Sequence, residues 1–441
     1  MRDNLGMGKT SMATDKRLPR VVIVGGGFGG LNATRALRHT PVEITLIDQA
    51  NHHLFQPLLY QVATSVLPST EIATPIRSLL RYQRSATVLM GEVKGVDVDQ
   101  RVVQVAGFDR PLAYDYLILA TGAQNSYFGH TDWEPYALGL KTARDALVIR
   151  DRILKAFELA EIETDPERRK ELLTFVIVGG GPTGVEMAGA LAEMAHATLR
   201  GEFRRIDPHT ARILVVDFAP RLLMAYPENL AQKAKTKLEQ LGVEVRLNDA
   251  IESVNSAGVV VKGEEICSYC VIWAAGVSAS PAGKWLGAET DRIGRIKVKP
   301  DLTVPQHPEI LVVGDTAFIE ETGKPLPGVA QVAIQSGKYA AHVIRQQVIG
   351  RAPLPPFKYS DRGNMATVTR GYAVVDSRFL RTAGFIGKLI WAFLHILYLS
   401  AFENRFLVFF RWTWEIVSNQ RGARLIYDTR PPEKASVFPH E

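Results

Sequence analysis

The sequence predicts an α/β fold of two successive, mostly parallel sheets followed by an amphipathic C-terminal region, and three observations predict it. An apolar strand, Val21-Val22-Ile23-Val24, enters the glycine turn Gly25-x-Gly27-x-x-Gly30 and then a helix. The same order returns about 150 residues later, where Phe175-Val176-Ile177-Val178 enters Gly179-x-Gly181-x-x-Gly184. Beyond Gly384 the chain turns aromatic, yet its longest apolar run, residues 389–400 between Lys388 and Glu403, falls short of the roughly 18–20 residues that cross a bilayer. At 441 residues the chain has room for two or three domains. A hydrophobic fraction of 46% and a charged fraction of 22% exclude a disordered, collagen-like or disulfide-stapled protein. The net charge of +6 is mild and suits a soluble enzyme, a nucleic-acid binder or a protein drawn to anionic lipid.

Residues 1–19 read as a flexible leader. Their basic residues lie among Gly, Ser, Thr and Asn without the apolar stretch of a signal peptide, and Asp3 and Asp15 speak against a transit peptide. The first unit takes residues 20–160 and 289–350: a strand to Val24, a helix over 31–38 and a strand over 42–48. Residues 88–105 alternate like an antiparallel excursion, and strand 116–120 ends in Thr121-Gly122. The polar stretch 161–171, with Pro166, is the expected boundary loop. The second unit takes residues 172–288, with a helix to about 199, a strand over 212–217 and a strand over 271–275 ending at Gly276. Strand 310–315, closing in Val313-Gly314-Asp315, and a helix over 330–349 return to the first unit. After a Pro-rich linker at 351–356 come strand-like residues 364–376, within a C-terminal region that takes the remaining residues, 351–441.

In each turn the glycines let the backbone bend sharply and approach a pyrophosphate on the helix N-terminus. Asp48, 18 residues after Gly30, and Asp217 each end the following strand, where a carboxylate accepts hydrogen bonds from ribose hydroxyls. The units are therefore expected to be two Rossmann-like dinucleotide-binding domains, one holding a flavin and the other exchanging a nicotinamide. Asp217 repels a 2′-phosphate, so NADH is expected over NADPH, with Arg221 the nearby cation that weakens this and is expected over the adenine or in solvent. The first unit is the flavin site if Gly314-Asp315 returns to it; the plainer role for Asp315 is a helix N-cap.

Cys267 and Cys270 are the only cysteines and have redox-dithiol spacing. A catalytic dithiol would sit at a helix N-terminus facing the flavin. These instead precede a strand and are expected on the outer edge of the second unit. One pair is also poor evidence for zinc, and no metal site is expected.

The segment His53-Leu54-Phe55-Gln56-Pro57-Leu58-Leu59-Tyr60, the run Gly181-Pro182-Thr183-Gly184-Val185-Glu186 and Ala330-Gln331-Val332-Ala333-Ile334-Gln335-Ser336-Gly337 together resemble type II NADH dehydrogenases, single-subunit NADH:quinone oxidoreductases. The resemblance covers roughly residues 20–430. It implies noncovalent FAD, NADH as donor, a membrane quinone (ubiquinone or menaquinone) as acceptor and no proton pumping. It places FAD on Gly25, Gly27, Phe28, Gly29, Gly30, Asp48, Ala120, Thr121, Gly122, Gly314, Asp315, Ala330 and Gln331. It places NADH on Gly179, Gly181, Pro182, Thr183, Gly184, Glu186, Asp217, Ala275 and Gly276, and makes Glu186, Gln331 and Gln335 the catalytic candidates. Gln331 and Gln335 are i and i+4, so both amides can face one ligand; alone they read as ordinary exposed glutamines. Glu186 is expected in the first helical turn, where the dipole stabilises a carboxylate. Thr369 departs from the glycine common in relatives, which alters the quinone entrance.

The tail, about 384–417, mixes aromatic and aliphatic residues with Lys388, Arg405, Arg411, Arg421 and Arg424 and is suited to lying in a membrane interface. Basic residues Arg370, Arg378, Arg381 and Lys388 lead into it, each worth about 1 kcal/mol near an anionic surface. A core or dimer helix pair is the alternative, and the family associates as a homodimer through this region. No nucleic-acid motif is present. The expected location is the cytoplasmic face of the inner or plasma membrane. Rival functions are a sulfide:quinone oxidoreductase, a soluble NADH-dependent disulfide reductase and a flavin redox sensor.

Overall fold

The computed structural model describes residues 17–427, so most of the leader lies outside the described residues. Its elements, in chain order, begin with β1 (Arg20–Val24), α1 (Phe28–Ala36), β2 (Glu43–Asp48), α2 (Leu59–Ala63), β3 (Ala86–Met90), β4 (Tyr116–Leu119) and β5 (Ala123–Asn125). They continue with β6 (Ala137–Gly139), α3 (Ala143–Ile162), α4 (Pro166–Leu172), β7 (Thr174–Val178), α5 (Pro182–Glu193), β8 (Arg212–Asp217) and β9 (Val243–Leu247). Next come β10 (Glu264–Cys267), β11 (Cys270–Trp273), β12 (Val277–Ala279), β13 (Thr303–Val304), β14 (His307–Val312) and α6 (Ala330–Val348). The C-terminal region holds β15 (Asn364–Thr369), β16 (Tyr372–Asp376), β17 (Arg381–Gly384), α7 (Phe385–Tyr398) and α8 (Phe402–Ser418).

One sheet has the order β13-β14-β4-β1-β2-β3 and the other β6-β11-β7-β8-β9. Strands β1, β4, β7 and β11 are apolar runs, buried almost throughout, because both faces of each sheet are covered; in the second sheet one face packs on helices and the other on the antiparallel strands of residues 251–267. Both units place a glycine turn at the carboxyl end of a central strand with its acid one strand outward, the crevice in which open α/β sheets bind ligands. The chain crosses between the sheets along the antiparallel ribbon β5–β12. Residues 137–139, counted with the first unit from the sequence, already pair with β11 of the second sheet.

Three readings need correction. Stretch 161–171 is mostly helical: α3 runs to Ile162, and Pro166 opens α4 behind the Asp165 cap, since proline fits the first helical position as well as it breaks a later one. The excursion begins after β3, which is the edge parallel strand of the first sheet; antiparallel pairing joins Val93–Asp97 to Val102–Val105. Cys270 opens an interior strand and is buried, whereas Cys267 is exposed at the end of β10.

The C-terminal sheet β15–β17 packs on α5, and α7 packs on β16. A Cβ at Gly189 of α5 would lie 1.7 Å from the Val368 carbonyl oxygen, and one at Gly387 of α7 would lie 2.6 Å from that of Ala373. Small residues at these crossings let backbone meet backbone, which seats the C-terminal sheet on α5 of the second unit and α7 on that sheet. No helix among the described residues is long and apolar enough to cross a membrane.

Candidate functional site

The two glycine turns are built alike. A Cβ at Gly30 would fall 1.8 Å from the Gly25 carbonyl oxygen, and one at Gly184 would fall 1.8 Å from that of Gly179. Gly25 and Gly179 have φ of +103° and +110°, a region open to glycine. Asp48 Oδ2 accepts the Gly26 N–H at 2.5 Å and Oδ1 accepts Ala50 N–H at 2.7 Å. Asp217 does the same for Gly180 and Ala219. Each acid thus braces its turn, and burial holds Asp48 above its usual range. Gly27 and Gly181 precede helices whose first turns have no side-chain cap, and the space a Cβ would take there is open. Free N–H groups and open space suit a phosphate.

Predicted residues distant in sequence meet at the first turn. Thr316 Oγ1 accepts the Gly122 N–H at 2.8 Å and lies 3.0 Å from Thr121 Oγ1. A Cβ at Gly29 would meet Val313, Ala120 and Ala333, and one at Gly337 would lie 2.2 Å from the Gly29 carbonyl oxygen. The first half of α6 therefore lies against the turn at Ala333 and Gly337, one and two helical turns after Ala330 and Gln331. Asp315 is not an N-cap: it sits inside the short turn Gly314–Thr316. Burial raises its pKa, with Lys141 and Arg295 offsetting this, and no donor among the described residues hydrogen-bonds its carboxyl. A half-buried carboxylate without a protein donor fits a polyhydroxylated ligand such as the ribityl chain of FAD.

At the second turn, a Cβ at Gly179 would meet Ala274 and Ala275 within 2.7 Å. Pro182 and Thr183 are exposed on the first turn of α5. The Arg221 guanidinium is partly buried and donates to the carbonyls of Leu223, Met224 and Tyr226.

Glu186 is the fifth residue of α5, past the reach of the expected dipole effect, and is buried at the base of the C-terminal sheet. Its Oε1 accepts only the Thr367 N–H, at 3.3 Å, and burial pushes its pKa up to about 8, against Thr367 and Lys388. At neutral pH the group is mainly a neutral acid. Lys388 does not face a membrane: its Nζ donates to Thr367 Oγ1 at 3.1 Å and lies 3.8 Å from the Trp391 ring centroid, and burial pushes its pKa down to about 8. Thr369 is buried, its carbonyl accepting from Thr367 Oγ1. Glu186 from α5 and Lys388 from α7 so converge on one residue of β15.

Unfolded, Glu186 ionises near 4.5, but folded it holds its proton to about 8, so its contribution to stability is fully present below 4.5 and lost as pH rises through 8. Glu186→Gln is expected to gain stability over the parent progressively between about pH 5 and about pH 8, by up to about 4 kcal/mol, and to melt correspondingly higher. Thermal melts across that range check it; a constant offset contradicts the buried neutral acid.

The two glutamines are not equivalent. Gln335 spends both ends of its amide on Ser360, donating to its carbonyl at 3.0 Å and accepting its N–H at 2.9 Å. The i, i+4 pair therefore does not present two free amides; Gln335 pins α6 to the segment after the linker.

Sequence reasoning missed an aromatic column. His53, whose Nδ1 lies 3.0 Å from the Gly26 carbonyl, meets the Phe28 ring at 5.1 Å, and Phe28 meets Phe55 at 5.7 Å. Phe55 meets His395 at 6.2 Å, His395 stacks on Trp391 at 4.1 Å and Trp391 meets Trp412 at 5.2 Å. Burial pushes both histidines down to about 4, so they are neutral. Only the spacing of Phe55 and Phe28 around the turn hints at this line, which joins the first glycine turn to α7 and α8.

The basic flanks of the tail are largely used internally. Arg411 pairs with the buried Glu71 at 3.1 Å, and Arg421 is buried between Glu415 and Glu193. What α7 and α8 leave exposed is mostly apolar, with Phe385, Phe393, Phe402, Phe406, Phe410 and Trp414 among them and Glu403, Arg411 and Thr413 as the polar exceptions.

Burial raises the thiol pKa at Cys270 to about 12 and also raises that of Cys267. Cys270 begins β11 opposite Phe175, near the start of β7, whereas the glycine turn follows the other end of β7. Neither thiol is activated and neither faces a turn, which is evidence against a dithiol mechanism.

Residues 19–337 match the family model for pyridine nucleotide-disulphide oxidoreductases. The chain is 46% identical to the type II NADH:quinone oxidoreductase Ndh of Mycobacterium tuberculosis, over 94% of this chain and 92% of that protein. It is 45% identical to NdhA of the same organism, also a type II NADH:quinone oxidoreductase, over 92% of this chain and 89% of that protein. Among solved structures, NDH2 from Plasmodium falciparum in complex with NADH superposes with a TM-score of 0.83 at 20% identity, covering 92% of this chain and all of that one. The sulfide:quinone oxidoreductase of Aquifex aeolicus shares the fold at a TM-score of 0.70 and 18% identity, covering 90% of this chain and 95% of that one. The extent of these matches, over a fold with two glycine turns and no activated thiol, shows that the chain belongs to the pyridine nucleotide-disulphide oxidoreductase family and, within it, to the type II NADH:quinone oxidoreductases.

Proposed function

We propose that this oxidoreductase takes electrons from NADH at the second glycine turn and delivers them, through noncovalent FAD at the first, to a ubiquinone or menaquinone drawn from a membrane. The unit of residues 20–160 and 289–350 would hold FAD through Gly25–Gly30, Asp48, Ala120–Gly122, Gly314–Asp315 and Ala330–Gln331. The unit of residues 172–288 would hold NADH through Gly179–Gly184, Asp217 and Ala275–Gly276. FAD supplies acceptance of a hydride and release of two electrons.

The residues of the chain orient and protonate. Gln331, at the start of α6, would position the quinone head, and Gln335 would fix that helix through Ser360. Glu186, neutral at pH 7, holds a proton for the quinone oxygen, and Lys388 stabilises the negative charge that develops there. The aromatic column keeps water out of the route between the first turn and the tail.

One observation carries this reading: the column leads without a break from the turn into the core of a helix pair whose outer face is apolar. A monotopic enzyme resting α7 and α8 in the interface would receive a lipid-soluble quinone there, on the cytoplasmic face of its membrane. A homodimer through the same region would be compatible with that seat, since dimer and membrane contacts can both use the tail.

The test changes Phe406, Phe409 and Phe410, exposed on α8, together to Ser. Turnover with a long-chain quinone in vesicles is expected to fall at least about tenfold and turnover with a water-soluble short-chain analogue to stay within about twofold. Equal turnover on both quinones would remove the membrane route from the proposal.

A further inference from the structure

Phe128 combines two unusual features: its φ is +53°, and its ring is 62% exposed. The left-handed region costs an L-residue with a bulky side chain about 1–2 kcal/mol, and such outliers persist where the surroundings impose them. Here they do. The Ser126 N–H donates to the Gly276 carbonyl at 3.1 Å, and Trp273 Nε1 donates to the Ser126 carbonyl at 2.8 Å. Tyr127 is buried against Trp273 with its hydroxyl on the Ala137 carbonyl at 2.8 Å. Anchored just ahead of it, Phe128 lays its ring on Gly276, where a Cβ would come within 2.6 Å of the ring.

Sheet order says what lies there. In β6-β11-β7-β8-β9, Asp217 ends β8 on one side of the β7 glycine turn, and Gly276 follows β11 on the other. A dinucleotide with its pyrophosphate on Gly179–Gly184 and its adenosine ribose at Asp217 can extend its second half only over the end of β11, across Ala275 and Gly276 and onto Phe128. That direction also leads to the β5–β12 crossing and the first unit.

We propose that Phe128 is the aromatic wall of the nicotinamide riboside subsite, held open in a left-handed conformation so that its face meets that half of the ligand. The inference rests on the second turn being the NADH site. It explains the exposed ring, the glycine at 276 and the backbone outlier together.

The test uses the FAD-loaded protein with Phe128→Asn, which tolerates the left-handed conformation without the ring, and Phe128→Tyr, which restores the ring. Titration calorimetry with NAD⁺ and with AMP separates the two halves of the ligand. Phe128→Asn is expected to weaken NAD⁺ binding about five- to tenfold, keep AMP binding within about twofold and leave the melting temperature unlowered, and Phe128→Tyr to restore NAD⁺ binding. Unchanged NAD⁺ affinity in Phe128→Asn, or equal loss of NAD⁺ and AMP, overturns the proposal. A parent protein that binds neither nucleotide overturns the underlying site assignment and this inference with it.

Discussion

Gly30→Ala is expected to yield a chain that purifies without flavin, and Gly184→Ala a flavin-loaded chain that NADH barely reduces. In both, the added Cβ lands 1.8 Å from a carbonyl oxygen of the same turn, at Gly25 or Gly179, so the backbone must move where a pyrophosphate would lie. A shift of that kind costs about 1–3 kcal/mol in packing alone, and displaced N–H donors add to it. The expected size is loss of most bound flavin in the first variant and a ten- to hundredfold rise in KM for NADH in the second, by about the same energies. Flavin absorbance and NADH titration check the pair. Two near-identical lesions with separate outcomes would show two sites of distinct function; the same loss in both would show one.

The glycine turns, Asp48, Asp217 and Gly314-Asp315 were legible because each is fixed by local backbone chemistry: a strand, a turn without Cβ atoms and an acid one strand away. Side chains whose state is set by what packs on them from afar were not. Glu186 reads as an ionised carboxylate stabilised by a helix dipole, and only β15 and α7 closing over it make it a neutral acid. Lys388 and Arg421 read as basic flanks suited to lipid, but both turn inward because buried carboxylates lie within reach. Gln335 looked free until the segment carrying Ser360 folded back onto it. Phe128 carries no motif, since its conformation follows from anchors at Trp273 and Gly276, far along the chain. The 161–171 stretch misled for a local reason, proline at a helix start reading like proline in a loop.

Arg421→Met should destabilise the protein by about 3–5 kcal/mol, the range for removing one member of a buried charge network. Arg421 is 3% exposed and donates through Nε to Glu415 at 2.9 Å and through Nη1 to the carbonyls of Thr64 and Ala190 at 3.0 and 2.9 Å. Its Nη2 lies 3.7 Å from Glu193, whose pKa is already raised by burial and held down chiefly by this arginine. Without it the Glu193 carboxyl moves further up, and a raised carboxyl contributes stability at low pH that is lost as pH rises. The deficit in Arg421→Met is therefore expected to be smaller at about pH 5 than at about pH 8, a trend that denaturant unfolding at both pH values reads directly. Because Arg421 ties the end of α8 to α5, the loss should appear first as release of the tail, visible as faster proteolysis after residue 400. A deficit independent of pH would place the arginine's role in packing rather than charge.

In the proposed function electrons pass from NADH at the second glycine turn to FAD at the first and out to a quinone. The most direct test is anaerobic stopped-flow absorbance of the FAD-loaded protein mixed with NADH and then with a short-chain ubiquinone or menaquinone analogue. Fast bleaching of the flavin band by NADH, followed by fast recovery that depends on quinone concentration, is the predicted result. Bleaching that no quinone reverses would contradict it.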